Sequence, residues 1–326
     1  MIEKLSIKNF KSIKDLEINC KKINLFIGEP NTGKSNILES LGLLSWCGYR
    51  NTELKEYIRF QGTQNLFYDN LFDYPVGIKM EIKDNIKVGM EIKFADDNFH
   101  FDRGGGNIDV LDYSGKCQKS SLSLASEFSF VKFYRFVRLT EFPDKNASSL
   151  RPPHGANMFS VVMAHKNHRE TMVRFFKEYG FRPVLKPMER VFEFQKQIDD
   201  VIFDYPYILL SDTLQRMIFY EIAMESNKDS TLIFEEPESH AFPYYTKHLG
   251  EKIGFDETNQ YFIATHNPYF LLSILEKSPK ESVNVFITYS RDYQTKVKCL
   301  TNEEISELMN YDPFFNLDSF IEEDEE

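Results

Sequence analysis

The chain has 326 residues with 42% hydrophobic and 15% aromatic side chains, which is enough to bury a substantial core. No apolar run approaches the roughly 18 residues of a membrane-spanning helix and the N-terminus is charged, so we expect a soluble, cytoplasmic protein without membrane contact. The four cysteines form no C-x-x-C pair, so neither a zinc site nor a disulfide framework is indicated.

The net charge of −11 is unevenly distributed along the chain. Residues 301–326 contain ten carboxylates and no lysine or arginine, which gives this segment a charge of −10. Residues 131–190 contain twelve lysines and arginines against five acidic residues, a net charge of +7. This imbalance predicts a basic surface for DNA or an acidic partner, although neighbours in space could equally balance it on a solvated face.

Three strand-like runs precede the first helix. Residues 2–10 and 11–20 have the alternating or strand-like pattern of half-buried strands, and residues 23–27 form a short apolar run typical of a buried strand. An amphipathic helix is expected over residues 36–47, ending near Gly48.

The loop between the third strand and this helix matches G-x-x-x-x-G-K-[ST], the pattern of a phosphate-binding loop, in the strand–loop–helix context that the pattern requires. The glycines let the backbone turn tightly and bring its N–H groups to the phosphates. Lys34 is expected to reach the β- and γ-phosphates and to serve catalysis, and the Ser35 hydroxyl is expected to ligate Mg²⁺. The nucleotide-binding residues predicted here are Gly28, Glu29, Pro30, Asn31, Thr32, Gly33, Lys34, Ser35 and Asn36.

The middle of the chain is harder to interpret. Residues 76–110 alternate again and predict antiparallel strands in a β-subdomain inserted after the first helix. Helical spacing follows at 157–167 and 168–180, and we expect residues 187–203 to form a helix or a passage from strand to helix. Residues 54–74 give no firm assignment.

The last third shows clear periodicity. A helix over 211–224 has Ser211 or Asp212 as its N-cap, and further helices are expected at 243–254 and after Pro268. Buried strands are expected at 231–234 and 260–264, and a closing strand pair lies within residues 283–300.

Polar side chains follow both buried strands of this region. Glu235 and Glu236 end the first strand and point to different sides, so one can hold Mg²⁺ while the other faces the γ-phosphate. We assign Glu235 to the metal and Glu236 to the general base that orients water. His266 follows the second strand, and because the carboxyl ends of parallel strands meet in one crevice, it is a further catalytic candidate.

The order of these motifs resembles a family. FKSIKDLEI, GEPNTGKS, LSDTLQR, LIFEEPESHAFP and ATHNP are similar to the motifs of ABC-type ATPases of the RecF/OLD/SMC group, and more narrowly to stand-alone ATP-binding proteins of the AAA-15/AAA-21 type. The resemblance covers roughly residues 1–70 and 205–295. It implies an α/β, ABC-ATPase-type P-loop fold with an antiparallel β-subdomain and a helical insertion. The expected segments are an N-terminal core part with the P-loop (1–75), the β-subdomain (76–116), a basic insertion (117–205), a C-terminal core part (206–300) and an acidic tail (301–326).

The resemblance also assigns roles that spacing alone does not. Ser211 stands at the signature position, which contacts the γ-phosphate bound by the partner subunit. Asp212 and Thr213 replace the usual glycines here, and Asp212 could instead contact the partner or act as a helix cap. Lys11 and Ser12 match the turn beside the nucleotide. The D-loop falls on Ser239, His240 and Ala241, and the Q-loop glutamine is Gln61 or Gln64.

The sequence therefore predicts an ATPase that dimerises around two ATP·Mg²⁺ and converts ATP and water to ADP and phosphate. The resemblance implies that ATP binding and hydrolysis switch a partner that acts in DNA repair or in antiviral defence. An effector nuclease or toxin is such a partner. The alternatives are a slow regulatory ATP sensor that holds such an effector and, with less support, a P-loop kinase or a transporter ATPase.

Overall fold

The structure, a computed structural model, describes residues 1–104, 108–120, 126–310, 314 and 317–322. The chain divides into two compact units. The first unit comprises Met1–Phe133, Asp229–Glu236 and Gly250–Glu326, and the second comprises Tyr134–Lys228 and Pro237–Leu249.

The described elements are mostly strands in the first two-fifths of the chain and mixed thereafter. The strands are β1 (Ile2–Phe10), β2 (Ile13–Asn19), β3 (Ile23–Ile27), β4 (Val76–Ile82), β5 (Ile86–Ala95), β6 (Asn98–Asp102), β7 (Ile108–Leu111), β8 (Cys117–Lys119), β9 (Val131–Tyr134), β10 (Arg182–Lys186), β11 (Val191–Ile198), β12 (Val201–Pro206), β13 (Thr231–Glu235), β14 (Gln260–Ala264), β15 (Val283–Arg291) and β16 (Gln294–Cys299). The α-helices are α1 (Lys34–Tyr49), α2 (Met158–Ala164), α3 (Lys166–Lys177), α4 (Asp212–Glu225), α5 (Pro243–Phe255), α6 (Pro268–Lys277), α7 (Asn302–Asn310) and α8 (Ser319–Glu322).

A six-stranded sheet forms the centre of the first unit, in the order β16-β15-β3-β14-β13-β9. Strand β3 runs parallel to β14 on one side and to β15 on the other, and β13 runs parallel to β14. All five residues of β3 and of β14 are buried. Their apolar runs are the pattern expected of parallel strands that are covered on both faces.

The second sheet of this unit is antiparallel and seven-stranded, in the order β2-β1-β4-β5-β6-β7-β8. Strand β4 pairs along β1, with Leu5 opposite Met80. The alternating strands predicted within residues 76–110 are confirmed. However, they extend the sheet that β1 and β2 begin, whereas the sequence suggested a separate insertion.

Helix α1 contacts β1 of one sheet and β13 and β14 of the other. Thirteen of its 16 residues are buried, because a helix between two sheets has little surface left for solvent. The helix begins at Lys34, two residues earlier than its apolar pattern predicts, directly after the glycine loop.

The second unit has an aromatic core between helices and a small sheet. Strands β10, β11 and β12 form an antiparallel sheet, and the ring centroids of Phe176 on α3 and Phe194 on β11 lie 4.3 Å apart. The prediction of a helix or strand-to-helix passage over 187–203 was wrong. Here the buried Phe192 and Phe194 alternate with half-buried neighbours, and a turn with Asp199 at φ 52° joins two strands.

Most other predicted elements are confirmed, including three strands before α1 and helices at α4, α5 and α6. Residues 54–70 contain short 3₁₀ turns. Within the described part of the chain, no helix combines the length and the apolar character needed to cross a membrane. Asp312 and Glu323–Glu326 of the predicted acidic tail lie outside the described residues.

Candidate functional site

The glycine loop leaves the carboxyl end of β3, and both of its glycines are required by geometry. Gly28 has φ 143° and Gly33 has φ 98°, conformations that side chains disfavour. A Cβ atom on Gly28 would overlap the carbonyl of Thr288, and one on Gly33 would overlap the hydroxyl of Thr295. The loop therefore follows a tight path from β3 to the start of α1 that only glycine permits at these two positions.

Lys34 lies at the centre of this loop and is only 5% exposed. Its ammonium donates hydrogen bonds to the carbonyls of Gly28 at 2.7 Å and Glu29 at 2.6 Å. Burial lowers the pKa of Lys34 to about 8, although the carboxylates of Glu236 and Glu29 oppose this effect. The loop carbonyls thus accept hydrogen bonds from the Lys34 ammonium, whose positive charge a bound phosphate would neutralise.

Three further residues of the predicted nucleotide site, Ser12, Thr32 and Asn36, form hydrogen bonds with their neighbours. The Ser12 hydroxyl accepts from the Asn36 amide at 2.6 Å and is 2.7 Å from the Thr295 hydroxyl. Thr32 donates to the Glu29 carbonyl at 2.9 Å and is also 2.7 Å from the Thr288 hydroxyl. The structure therefore brings the predicted Ser12 turn against the first turn of α1.

Strand register places the acidic residues of β13 at the level of the glycine loop. Phe26 on β3 is opposite Ala264 on β14, and Ala264 is opposite Glu235 on β13. With a strand spacing of about 4.8 Å, Glu235 lies about 10 Å across the sheet from the strand that carries the loop.

Glu236 and His266 form a pair just beyond the ends of these strands. The His266 Nε2 atom is 3.5 Å from a Glu236 carboxylate oxygen, and the Glu236 N–H donates to the Ala264 carbonyl at 3.0 Å. Burial and the nearby Lys34 charge lower the pKa of His266, while Glu236 raises it. The three predicted catalytic residues, Lys34, Glu236 and His266, therefore lie close enough for the charge of Glu236 to affect the pKa of both other side chains.

A chain of ion pairs, which sequence reasoning missed, connects the metal candidate to the β1–β2 turn. Glu39 on α1 is completely buried and pairs with Lys11 and, at 2.8 Å, with Arg59. Arg59 also pairs with Glu235 at 2.7 Å, and Lys11 donates to the Arg59 carbonyl at 2.7 Å. The signal in the sequence was Glu39 itself, because a carboxylate within the apolar run of α1 requires partners when it is buried.

Ser211 and its neighbours lie in the second unit. The Ser211 hydroxyl accepts the Leu214 N–H at 3.3 Å, so Ser211 caps α4. Asp212 pairs with Arg138 at 3.2 Å and Arg216 at 3.5 Å. Thr213 donates to the His240 carbonyl of the predicted D-loop at 3.2 Å. The structure thus gives Ser211 and Asp212 local structural contacts, and the signature role of Ser211 stays a prediction.

The two glutamine candidates differ in their surroundings. Gln61 is exposed, whereas Gln64 is half-buried and its carbonyl oxygen has no hydrogen-bond partner within the described residues. A buried polar atom of this kind needs water or a ligand. This favours Gln64 over Gln61, and the Q-loop assignment stays a prediction.

The donor set fits ATP and Mg²⁺. A cavity of about 370 Å³ borders residues 28–32 of the glycine loop and residues 287–290. Among the described residues, no group of three His, Cys, Asp or Glu side chains could hold a metal. Ser35 and Glu235 offer oxygen ligands of the kind that Mg²⁺ prefers.

Comparisons with known proteins agree with this geometry. Residues 1–176 match the family model described as AAA ATPase domain. The chain is 31% identical to the DNA replication and repair protein RecF of Leptospira interrogans, over 29% of this chain and 24% of that protein. It is 28% identical to an uncharacterized protein, MJECL10, of Methanocaldococcus jannaschii, over 42% of this chain and 74% of that protein. The chain thus spans about a quarter of the length of the RecF relative.

Solved structures with a similar fold are heads of SMC proteins. An SMC head bound to the C-winged helix domain of ScpA matches with a TM-score of 0.57 and 16% identity, over 94% of this chain and 99% of that one. An Smc head with an extended coiled coil, bound to the C-terminal domain of ScpA derived from Pyrococcus furiosus, matches with a TM-score of 0.56 and 13% identity, over 95% and 98%. The likeness confirms the predicted α/β, ABC-ATPase-type P-loop fold.

The lowered pKa of Lys34 predicts a pH dependence of ATP binding. Below pH 8 the ammonium is charged and ready for phosphate, whereas above pH 8 it must first take up a proton. The dissociation constant for ATP should therefore rise by about tenfold per pH unit above 8. Calorimetric titrations between pH 7 and 9.5 measure this. Lys34→Arg, whose charge persists, should give a flat profile, and a flat wild-type profile would contradict the assignment.

The buried Glu39 carboxylate predicts a large stability effect. Glu39→Gln leaves Lys11 and Arg59 facing an uncharged amide, so the free energy of unfolding should fall by about 3 kcal/mol. Urea denaturation measures the loss. Glu17→Gln is the matched control, because Glu17 pairs with Lys4 at 2.6 Å on the exposed surface and should cost less than about 1 kcal/mol. Equal losses would show that the buried pairs do not stabilise the fold.

Proposed function

The chain belongs to the AAA ATPase domain family and is an ABC-type ATPase of the RecF/SMC group, and from this premise we propose that it binds and hydrolyses ATP·Mg²⁺ as a dimer. The observation that carries the proposal is the convergence of Lys34, Glu236 and His266 beyond the ends of β3, β13 and β14. Lys34 binds the β- and γ-phosphates, and Ser35 and Glu235 hold Mg²⁺. When bound, the ion neutralises charge that develops on the phosphates.

Glu236 accepts the proton of the attacking water. A lowered pKa keeps His266 neutral near pH 7, so its ring can donate one hydrogen bond toward the γ-phosphate or the water and accept another. His266 also lies 3.5 Å from Glu236, which orients the carboxylate. Lys11, Ser12 and Asn36 contact the nucleotide from the side of the β1–β2 turn.

The dimer places Ser211 of the partner subunit on the γ-phosphate bound by Lys34. Two large apolar side chains near this region support an interface, because Leu209 and Phe242 are each 68% exposed. Leu209 lies two residues before Ser211, and Phe242 directly follows the predicted D-loop. Exposed apolar side chains beside a polar contact are typical of surfaces that become buried on association.

Replacing the general base should separate binding from hydrolysis. Glu236→Gln should retain ATP, slow hydrolysis by at least about a hundredfold, and double the mass in light scattering when ATP is added. Lys34→Ala is the matched control and should remain a monomer because it does not bind the phosphates. An unchanged ATPase rate in Glu236→Gln would remove Glu236 from the mechanism.

A slow regulatory sensor is the second candidate function. It is favoured by the Arg59–Glu235 ion pair, because the carboxylate proposed for Mg²⁺ is already bound to a guanidinium at 2.7 Å. A sensor would dimerise with ATP while its turnover stays near background, and it would hold an effector nuclease or toxin. Purification with and without ATP, followed by identification of bound proteins, distinguishes the two.

DNA contact is proposed for a narrower region than the whole basic segment. Several of its twelve basic residues are used within the fold: Lys132, Arg138, Arg151, Lys186 and Arg190. Along helix α3, four basic side chains outnumber the two acidic ones on the same surface, Glu170 and Glu178, which gives this face a net charge of +2: Lys166, Arg169, Arg174 and Lys177. An open concave surface along this face suits a phosphate backbone.

Reversing the charge of this face of α3 should weaken DNA binding in a salt-dependent way. The triple variant Lys166→Glu, Arg174→Glu, Lys177→Glu should reduce the slope of log affinity against log salt by about 3. Fluorescence anisotropy with a labelled duplex measures it. The control variant replaces three exposed lysines of the seven-stranded sheet with glutamate: Lys8, Lys87 and Lys93. Equal losses in both variants, or wild-type binding that salt does not weaken, would assign α3 to a protein partner.

A further inference from the structure

The first unit contains a second pocket, of about 760 Å³, at the carboxyl end of α1. The last turn of α1, the segment 50–55 and the loop between β7 and β8 line it. An α-helix rises about 1.5 Å per residue, so Trp46 lies about 18 Å along α1 from Lys34. The pocket is therefore separate from the proposed nucleotide site. Its volume lies within the roughly 300–1,000 Å³ typical of small-molecule sites.

Arg50 forms the charged floor of this pocket. Its guanidinium donates to the Asp109 carboxylate at 2.8 Å and to the Ser120 hydroxyl at 2.6 Å. Arg103 lies 3.6 Å from the same carboxylate, and both Asp109 and Arg103 are buried. These three side chains together carry a net charge of +1, which gives the floor a positive potential in a partly desolvated place.

The backbone adopts an unusual conformation to place this arginine. Arg50 has φ 46°, in the left-handed region that disfavours non-glycine residues. Its N–H caps α1 by donating to the Trp46 carbonyl at 2.8 Å, a position where glycine is the usual residue. Arg50 therefore occupies a position whose left-handed backbone conformation favours glycine over any residue with a side chain.

The rim and walls combine positive charge with apolar surface. Lys55 and Lys116 line the rim and are exposed, against one acidic side chain, Glu53. Trp46 and Leu54 supply the apolar wall. The Trp46 indole N–H donates to the Thr52 carbonyl at 3.2 Å and the Arg50 guanidinium lies 5.2 Å from the ring centroid, so the indole is fixed in place.

We propose that this pocket binds a small phosphomonoester that carries an aromatic ring. The phosphate contacts Lys55, Lys116 and the edge of Arg50, and the ring packs on Trp46 and Leu54. A phosphate group matches the site because it has about two negative charges and three oxygens that accept several charge-assisted hydrogen bonds. Trp46 and Leu54 are only 6% and 2% exposed, so they present an apolar edge beside the cations, which suits an aromatic ring better than a fully polar ligand.

Tryptophan fluorescence provides a direct test, because Trp46 is the single tryptophan of the chain and lines the pocket. Phenyl phosphate titrated into the full-length protein should change the Trp46 emission in a saturable way. Phenol and inorganic phosphate, which each supply half of the ligand, should bind at least about tenfold more weakly. Lys34→Ala should leave the phenyl phosphate titration unchanged, which separates this site from the phosphate loop.

Lys116→Glu is the test variant, because removal of Arg50 would leave the buried Asp109 with only the longer 3.6 Å ion pair to Arg103 and would destabilise the sheet. The reversal should weaken phenyl phosphate by at least about tenfold, while Lys87→Glu, an exposed lysine of β5 outside the pocket, should not. The absence of a saturable change, or equal affinity in Lys116→Glu and wild type, would overturn the proposal. Equal binding of inorganic phosphate would overturn the ring contact. Tighter binding of a 5′-phosphorylated DNA duplex would assign the pocket to nucleic acid.

Discussion

The position of β3 between two parallel strands is the constraint on which the nucleotide site depends. Parallel neighbours must point their carboxyl ends in the same direction, so residues that follow β3, β13 and β14 emerge at one edge of the sheet. The Phe26–Ala264–Glu235 register then sets the distance between the glycine loop and the acidic pair in whole strand spacings. Glycine is needed at Gly28 because Thr288 on the neighbouring β15 leaves no room for a Cβ.

The ion pairs behind this edge couple the metal candidate to distant parts of the sequence. Glu39 joins Lys11 from the β1–β2 turn to Arg59 from the segment after α1, and Arg59 reaches Glu235. Because Glu39 is buried, its charge requires both partners, and a ligand that draws Arg59 away from Glu235 also disturbs Lys11. ATP·Mg²⁺ would compete with two existing sets of contacts, Lys34 with the loop carbonyls and Glu235 with Arg59. Nucleotide binding would therefore exchange these contacts for contacts with the phosphates and the ion. Its affinity would depend on the difference in free energy between the two sets.

Local patterns predicted local structure well and non-local structure poorly. The phosphate loop, α4 and its Ser211 cap, and the strands before Glu235 and His266 follow from spacing and capping, which act over a few residues. The pairing of β4 with β1 joins residues about seventy to eighty positions apart, and no periodicity encodes it. Residues 187–203 were assigned incorrectly because a short apolar run fits either period until its partner strand is known. Composition likewise counted Arg190 as surface charge, although its guanidinium donates to the carbonyls of Phe142 and Asp144.

The segment after Glu236 offers a physical route from hydrolysis to the rest of the molecule. The chain leaves the first unit at Glu236, and His240, four residues later in the second unit, accepts a hydrogen bond from Thr213 on α4. Glu236 has φ 43° and His240 has φ 61°, and each such non-glycine conformation costs of order 1 kcal/mol or more. Two strained residues in a five-residue segment make its geometry sensitive to what Glu236 contacts. Only a few covalently linked residues therefore separate Glu236 from the hydrogen bond between His240 and α4.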